Sequence, residues 1–446
     1  MTRSYYSRIK GENEYGVETG ASERRLVSPQ SIAPGSVIMA DGEFNAESKL
    51  VSKKVEILSG AAADKSRDAI MEKIRLAVSV PGKPQLLPDD QLVRSLWPDL
   101  MGAASKMIVA ERLRRSVMLR FHGDADGICG AFALTSVLHC KALQQNSAVY
   151  SVRDALRDIS FIGQENRPFM ILLDFGSSDA CNEGLDILRA GGIEYIVIDH
   201  HPLGKSPPQG TISPFKIEDK ASRYTAGYLG CEVAAALGFD KEMAHSLARI
   251  ACAGDKSDIL PVDAQDVKKA MVLDFLASHV SFGNNLDFYK NVMVKDELFH
   301  SIAGQAEESI EEAAQKAMAQ MKASKTADGK LEIILFPLGK IVKRGEWPSS
   351  SKVTTRIFDK LRNERPESAF ICLGYTERSV IIRLNDEAVS SGLGANALAE
   401  AMKMSMPDFV EGGGGHVKAG AIRVKIGFAK DVVNELLRRI EAERKG

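Results

Sequence analysis

The chain is 446 residues long, with 44% hydrophobic and 26% charged residues and a formal net charge of -1. That length accommodates two or three domains with packed cores, and the near-neutral charge excludes a uniformly basic nucleic-acid coat, so any contact with nucleic acid has to come from a local patch. The six cysteines form no CxxC pair, which argues against a zinc ribbon or a disulfide framework and for reduced thiols.

No apolar run is long enough to span a bilayer. The opening stretch MTRSYYSRIKGENEYG has no apolar core of the secretory kind. The expectation is a cytoplasmic protein with no membrane partner.

Residues 1–65 read as an N-terminal extension. The segment SVIMADGEFNAESKLVSKKVEIL (36–58) suggests either a small β-module, of a kind that binds nucleic acid, or an unstructured arm. Residues 66–78 and 89–115 follow with apolar residues recurring at three and four, the period of helices. From residue 117 short apolar strands alternate with helical stretches: VMLRFH, a helix over 128–144, FMILLD, a helix over 179–190, and YIVIDH. This alternation, with strands this apolar, predicts an α/β fold around a parallel sheet covered by helices on both faces. Helices over 225–237, 241–254 and 262–278 complete a catalytic domain spanning 66–285. Residues 286–330 read as a helical connector that ends at the turn TADGK. The remainder, 331–446, reads as a smaller α/β domain in which the loop EGGGGHVKAG leads into a strand and DVVNELLRRIEAERKG forms an amphipathic helix.

The chemistry-bearing residues fall at the ends of the predicted strands. FHGDADG places His122, Asp124 and Asp126 after the first strand, ILLDFG places Asp174 after the next, and VIDHHP places Asp199, His200 and His201 after the third. In a parallel sheet these ends share one edge, the edge where open α/β sheets carry their sites. ACAGDKSDIL adds Asp255 and Asp258 after a helix. Taken singly, each motif is an ordinary turn or helix cap. Their joint order, each immediately after an apolar element, carries the signal. Carboxylates with imidazoles and no thiolate suit manganese or magnesium. So many carboxylates in one cleft call for two divalent cations about 3.5–4 Å apart, bridged by one carboxylate, for which Asp174 is the choice. Such a pair activates water against a phosphoester.

HGDADG, LLDFG, VIDHHP and the aspartate segment, in this order, resemble the motifs of the DHH phosphoesterase superfamily, and EGGGGHVKAGAI resembles the GGGH signature of its associated C-terminal domain. The pairing is similar to RecJ-like single-strand exonucleases, including the archaeal-type, GINS-associated branch, and covers roughly residues 115–430. The resemblance implies one metal held by His122, Asp124 and Asp174. It implies a second held by Asp126, Asp174, His200 and the fourth-motif aspartate, where spacing favours Asp258 over Asp255. His201 then lies near the substrate phosphate, and Asp199 orients an imidazole. Gly413, Gly414, Gly415 and His416, with Arg383 on a neighbouring strand, are expected to grip phosphates. Ser222 and Arg223 are read as facing the same cleft.

The expected function is a manganese- or magnesium-dependent phosphodiesterase that hydrolyses single-stranded DNA or RNA to mononucleotides. The alternatives are a dinucleotide phosphodiesterase or oligoribonuclease, a bisphosphate-nucleotide phosphatase, and a non-enzymatic replisome component that binds GINS.

Overall fold

The computed structural model describes residues 3–11, 13–77, 83–86, 90–163, 167–218, 221–280 and 285–443. They divide into two compact units, 1–294 and 295–446. Residues 78, 89 and 444–446, at the outer ends of three expected helices, lie outside the described residues.

The first unit opens with β1 (Arg3–Gly11), β2 (Glu14–Glu18), β3 (Glu23–Val27), β4 (Val37–Phe44) and β5 (Leu50–Ile57). They form a closed barrel in the order β1-β2-β3-β5-β4, sealed by pairing of β1 with β4 and by a parallel β3–β5 contact. Tyr15, Val17, Leu26, Ile32, Ile38, Ala40 and Leu50 fill its interior. Of the two readings of this region, the small β-module is the one present. It packs on α1 (Gly60–Ala77) and α2 (Gln91–Arg112) through Val37, Ile70, Ile74, Val109 and Leu113.

The chain then enters β6 (Val117–His122), α3 (Ala125–Thr135), β7 (Lys141–Gln145), α4 (Val152–Ile162), β8 (Phe169–Leu173), α5 (Asn182–Ala190), β9 (Glu194–Ile198) and the short β10 (Thr211–Ile212). The sheet is parallel throughout, in the order β10-β9-β8-β6-β7. β8 is buried along its whole length, as a strand covered on both faces must be. Met118, Met170, Leu172 and Val197 pack on one side with Leu185 and Leu188 of α5. The opposite face is covered by α3 and by α6 (Ala226–Ala236), followed in the chain by α7 (Lys241–Asp255), α8 (Ala264–His279) and α9 (Leu286–Val294). A Cβ on Gly130 would meet the Gly227 Cα at 2.9 Å and Leu173 Cδ2 at 2.8 Å, so small residues let α3 and α6 approach backbone to backbone.

The expected helix over 128–144 is corrected: it stops at Thr135, and residues 141–145 form β7. Thr135 and Ser136 turn their hydroxyls back onto the Ala131 and Phe132 carbonyls at 2.8 and 2.7 Å, which loosens the helix end. KALQQ has no β-branched residue and is a strand because it pairs with β6.

The second unit contains α10 (Asp296–Met318), β11 (Lys322–Lys325), β12 (Glu332–Pro337), α11 (Ser350–Glu364), β13 (Phe370–Tyr375), β14 (Ser379–Leu384), α12 (Asp386–Ser390), α13 (Ala395–Ser405), β15 (Val410–Gly415), β16 (Ala419–Val424) and α14 (Ala429–Glu443). Its sheet runs β11-β12-β13-β14-β16-β15. The helical stretch expected from residue 286 is interrupted at Lys295, whose backbone is extended, and ends before β11. The glycine tract, expected as a loop, is instead the edge strand β15, hydrogen-bonded to β16. Gly415 has φ +142°, and a Cβ there would lie 2.2 Å from the Ala419 carbonyl oxygen, so this position requires glycine.

Candidate metal centre

The sheet of the first unit changes direction between β6 and β8: β6 leads outward to β7, whereas β8 leads the other way to β9 and β10. The crevice at the C-terminal ends of the strands at such a switch point is the usual site of an open α/β sheet. Here β6 delivers His122, Asp124 and Asp126, β8 delivers Asp174, and β9 delivers Asp199, His200 and His201.

Local chemistry fixes each group. Asp124 is the N-cap of α3 and accepts the Gly127 N–H through Oδ1 at 3.0 Å, leaving Oδ2 2.6 Å from His122 Nδ1. Asp126 uses Oδ1 to accept the Gly227 N–H at the start of α6, at 3.0 Å. Asp174 sits at φ +67°, a left-handed conformation uncommon for a residue with a side chain, and its N–H donates to the Ile198 carbonyl at 2.8 Å. Its Oδ2 lies 3.2 Å from His122 Nδ1 and its Oδ1 3.4 Å from His200 Nε2. The two oxygens of one carboxylate therefore serve two different imidazoles.

His200 and His201 are adjacent but differently placed. His200, 7% exposed, donates Nδ1–H to the Ser222 carbonyl at 2.8 Å, which directs Nε2 toward Asp255 Oδ2 at 3.0 Å and Asp126 Oδ2 at 3.8 Å. His201, 42% exposed, bonds through Nδ1 to Asp199 Oδ1 at 2.8 Å. Asp199 is held in turn by the Ser177 and His201 N–H groups at 2.9 and 3.1 Å.

The electrostatics are those of a carboxylate cluster short of positive charge. Burial raises the pKa of Asp126, and the charges of Asp174 and Asp255 raise it further. Burial and the Asp124 charge raise Asp174. Burial opposes charge on His122 and His200, yet the facing carboxylates outweigh it and lift both well above the usual imidazole value. Burial would also raise Asp124, but His122 holds it below the ordinary range. Asp126 Oδ2 and Asp174 Oδ1 are buried without a hydrogen-bond partner, a costly state for a carboxylate unless a cation faces it. Three sets of donor atoms lie close enough to hold an ion: His122, Asp124 and Asp174; Asp126, His200 and Asp255; and Asp174, His200 and His201. Oxygen and imidazole donors of this kind fit divalent cations such as manganese or magnesium.

Of the two fourth-motif aspartates, the structure brings Asp255 to the cluster and not Asp258. Asp255 ends α7, Lys256 turns the chain at φ +56°, and the Ser257 N–H returns to the Cys252 carbonyl at 2.8 Å. Asp258 lies exposed beyond this reversal and places its charge near Arg223. Ser222 contributes its carbonyl rather than its hydroxyl. Arg223 is half-exposed, stacks 5.1 Å from the Tyr224 ring centroid, and offers its carbonyl to the Ser257 hydroxyl.

In the second unit, Arg383 is not the free fork expected. It is 8% exposed, and its guanidinium donates to Thr355 Oγ1, the Ser351 hydroxyl and the Ile382 carbonyl at 3.2, 2.9 and 2.8 Å. Gly413, Gly414 and Gly415 pair with β16 along one edge of β15, and His416 is exposed at the hairpin tip.

Sequence reasoning missed the backbone partners Gly227 and Ser177, and Asp274 of α8, whose Oδ1 accepts the Ala125 N–H at 2.8 Å beside the DADG turn. The start of a small-residue helix at TAGY is the one sequence cue to Gly227. Nothing in the sequence marks Asp274.

Residues 116–254 match the DHH family, N-terminal domain. Over 86% of its length the chain superposes on 99% of a solved DHH domain, described as that of a member of a ribosomal-protein family, with TM-score 0.71 and 22% identity. RecJ of Thermus thermophilus in complex with Mn2+ gives TM-score 0.51 at 17% identity, over 83% of this chain and 58% of that one. The uncharacterized protein MJ1198 of Methanocaldococcus jannaschii is 24% identical over 91% of this chain, which spans 62% of that relative. Residues 116–254 thus match the DHH domain family, and the chain shares the fold of the solved DHH domain and of RecJ. Members of the DHH family are metal-dependent phosphoesterases. Among the described residues no helix is long and apolar enough to cross a membrane.

Proposed function

We propose that this protein is a divalent-metal-dependent phosphodiesterase that hydrolyses single-stranded DNA or RNA to mononucleotides. The observation that carries the reading is the split Asp174 carboxylate: Oδ2 belongs with His122 and Asp124, Oδ1 faces His200, and Oδ1 has no hydrogen-bond partner. His122, Asp124 and Asp174 would hold one ion, and Asp174, Asp126, His200 and Asp255 the other. Manganese or magnesium bound there supplies the charge that lowers the pKa of water and clamps a phosphoryl group.

The chain's own residues do the rest. Ser222 fixes the His200 tautomer so that Nε2 offers a lone pair. Burial opposes charge on His201, but its hydrogen bond to Asp199 outweighs that and raises its pKa. Held by Nδ1 on Asp199, His201 keeps its other nitrogen free to donate a proton to the departing oxygen. Arg223, half-exposed, 3.9 Å from Asp90 Oδ2 and donating to the Tyr224 hydroxyl at 3.2 Å, would have to turn its guanidinium from these partners to meet a substrate phosphate. The outer edge of β15 and His416 are proposed as a further phosphate-contacting surface in the second unit.

The near-neutral charge of the chain permits a second reading, a dinucleotide or nucleotide-phosphate substrate. A product assay with manganese separates the two, using end-labelled single strands of DNA and RNA, a dinucleotide, and Asp174→Asn as control. Mononucleotides released stepwise from long strands are expected. Cleavage of the dinucleotide alone would move the protein to the short-substrate class.

A further inference from the structure

The N-terminal barrel closes in the order β1-β2-β3-β5-β4 with β3 parallel to β5. Small five-stranded Greek-key barrels of this kind bind oligonucleotides or oligosaccharides on their surface. The interior is filled by Tyr15, Val17, Leu26, Ile38 and Leu50, so a ligand has to be met outside or at a mouth.

One mouth carries suitable groups. Arg24 pairs across from Val17, and Phe44 across from Leu50. Val17 and Leu50 point into the core, so Arg24 and Phe44 belong to the same inward rows, yet both are exposed because they lie where the barrel opens. The Arg24 guanidinium stands 5.2 Å from the Phe44 ring centroid, and the ring is 44% exposed. Arg24 has no carboxylate partner among the described residues, whereas the neighbouring Arg25 and Lys49 are both engaged by Glu14. The barrel is also fixed to its unit. Glu18, buried on β2, accepts two bonds from Arg112 of α2, at 2.7 and 3.3 Å, and one from the Gly20 N–H at 2.8 Å.

We infer that this mouth is a docking site for single-stranded nucleic acid, in which a base stacks on Phe44 and Arg24 pairs with an adjacent phosphate. An uncompensated guanidinium beside an exposed aromatic ring is the combination that single-strand binders use. The inference rests on the phosphodiesterase reading for the strand being the substrate, and assigns the barrel a hold on it separate from the metal centre.

The test is fluorescence anisotropy of the full chain with a labelled strand of about twenty nucleotides in EDTA, which leaves the strand intact. Arg24→Glu and Phe44→Ala should each weaken binding about tenfold, and Arg24→Glu should flatten the salt dependence. Both should hydrolyse a dinucleotide as the parent does, and that unchanged activity also reports an intact fold. Phe44→Trp should retain binding and lose indole fluorescence on stacking. Parent-like strand affinity in Arg24→Glu and Phe44→Ala would overturn the inference, as would absence of strand binding by the parent chain, the result expected if the mouth takes a protein or a sugar. A parent that binds strands through Arg24 and Phe44 but cleaves no phosphodiester would leave the docking site standing and remove the enzymatic reading instead.

Discussion

Gly227 and Asp126, far apart in sequence, are locked together. The Gly227 N–H donates to Asp126 Oδ1 at 3.0 Å, and a Cβ on Gly227 would lie 2.2 Å from the Asp126 carbonyl oxygen. The start of α6 thus fixes which Asp126 oxygen faces the cluster. Gly227→Ala must push Asp126 away, and misplacement on the ångström scale costs about a hundredfold in rate. Hydrolysis and metal titration of the folded variant check this, with loss of one ion's affinity expected beside the loss of rate.

Asp255 and Asp258 offer a direct comparison. Asp255→Asn should weaken binding of one ion by about tenfold or more, because its Oδ2 faces His200 Nε2. Asp258→Asn should leave metal binding unchanged. Isothermal titration with manganese reads both.

Asp199 acts through His201. Asp199→Asn removes the charge that favours the imidazolium and should lower kcat by about a hundredfold while both ions still bind. Loss of metal together with rate would place Asp199 among the ligands instead.

Away from the site, Arg120 and Asp158 form an ion pair that is 1% exposed on both sides, and the Tyr150 hydroxyl adds a bond to Asp158 at 2.8 Å. Asp158→Ala strands a buried guanidinium and should cost about 3–5 kcal/mol in urea unfolding. Its metal stoichiometry should be unchanged.

The parallel sheet and its site were legible because apolar strands each ended in a carboxylate or imidazole, and the strand ends of a parallel sheet share an edge. Asp124, Asp174 and His200 follow from that rule alone. Asp255 did not, because spacing along the sequence cannot show that the chain reverses at Lys256. The partners of Arg383 were not legible, because a strand arginine looks the same whether it reaches solvent or is occupied by Ser351 and Thr355 of a helix distant in sequence. β7 and the barrel's closure depend on pairing partners rather than on local propensity, and the glycines of β15 form a strand for the same reason.

The central claim is that Asp174 joins two metal sites, and native mass spectrometry of manganese-loaded protein tests it most directly. The parent chain should carry about two ions, and Asp174→Asn, which keeps a residue tolerant of the left-handed backbone, should fail to hold the pair and lose hydrolysis by orders of magnitude. Two ions and near-parent hydrolysis in the folded variant would contradict the account.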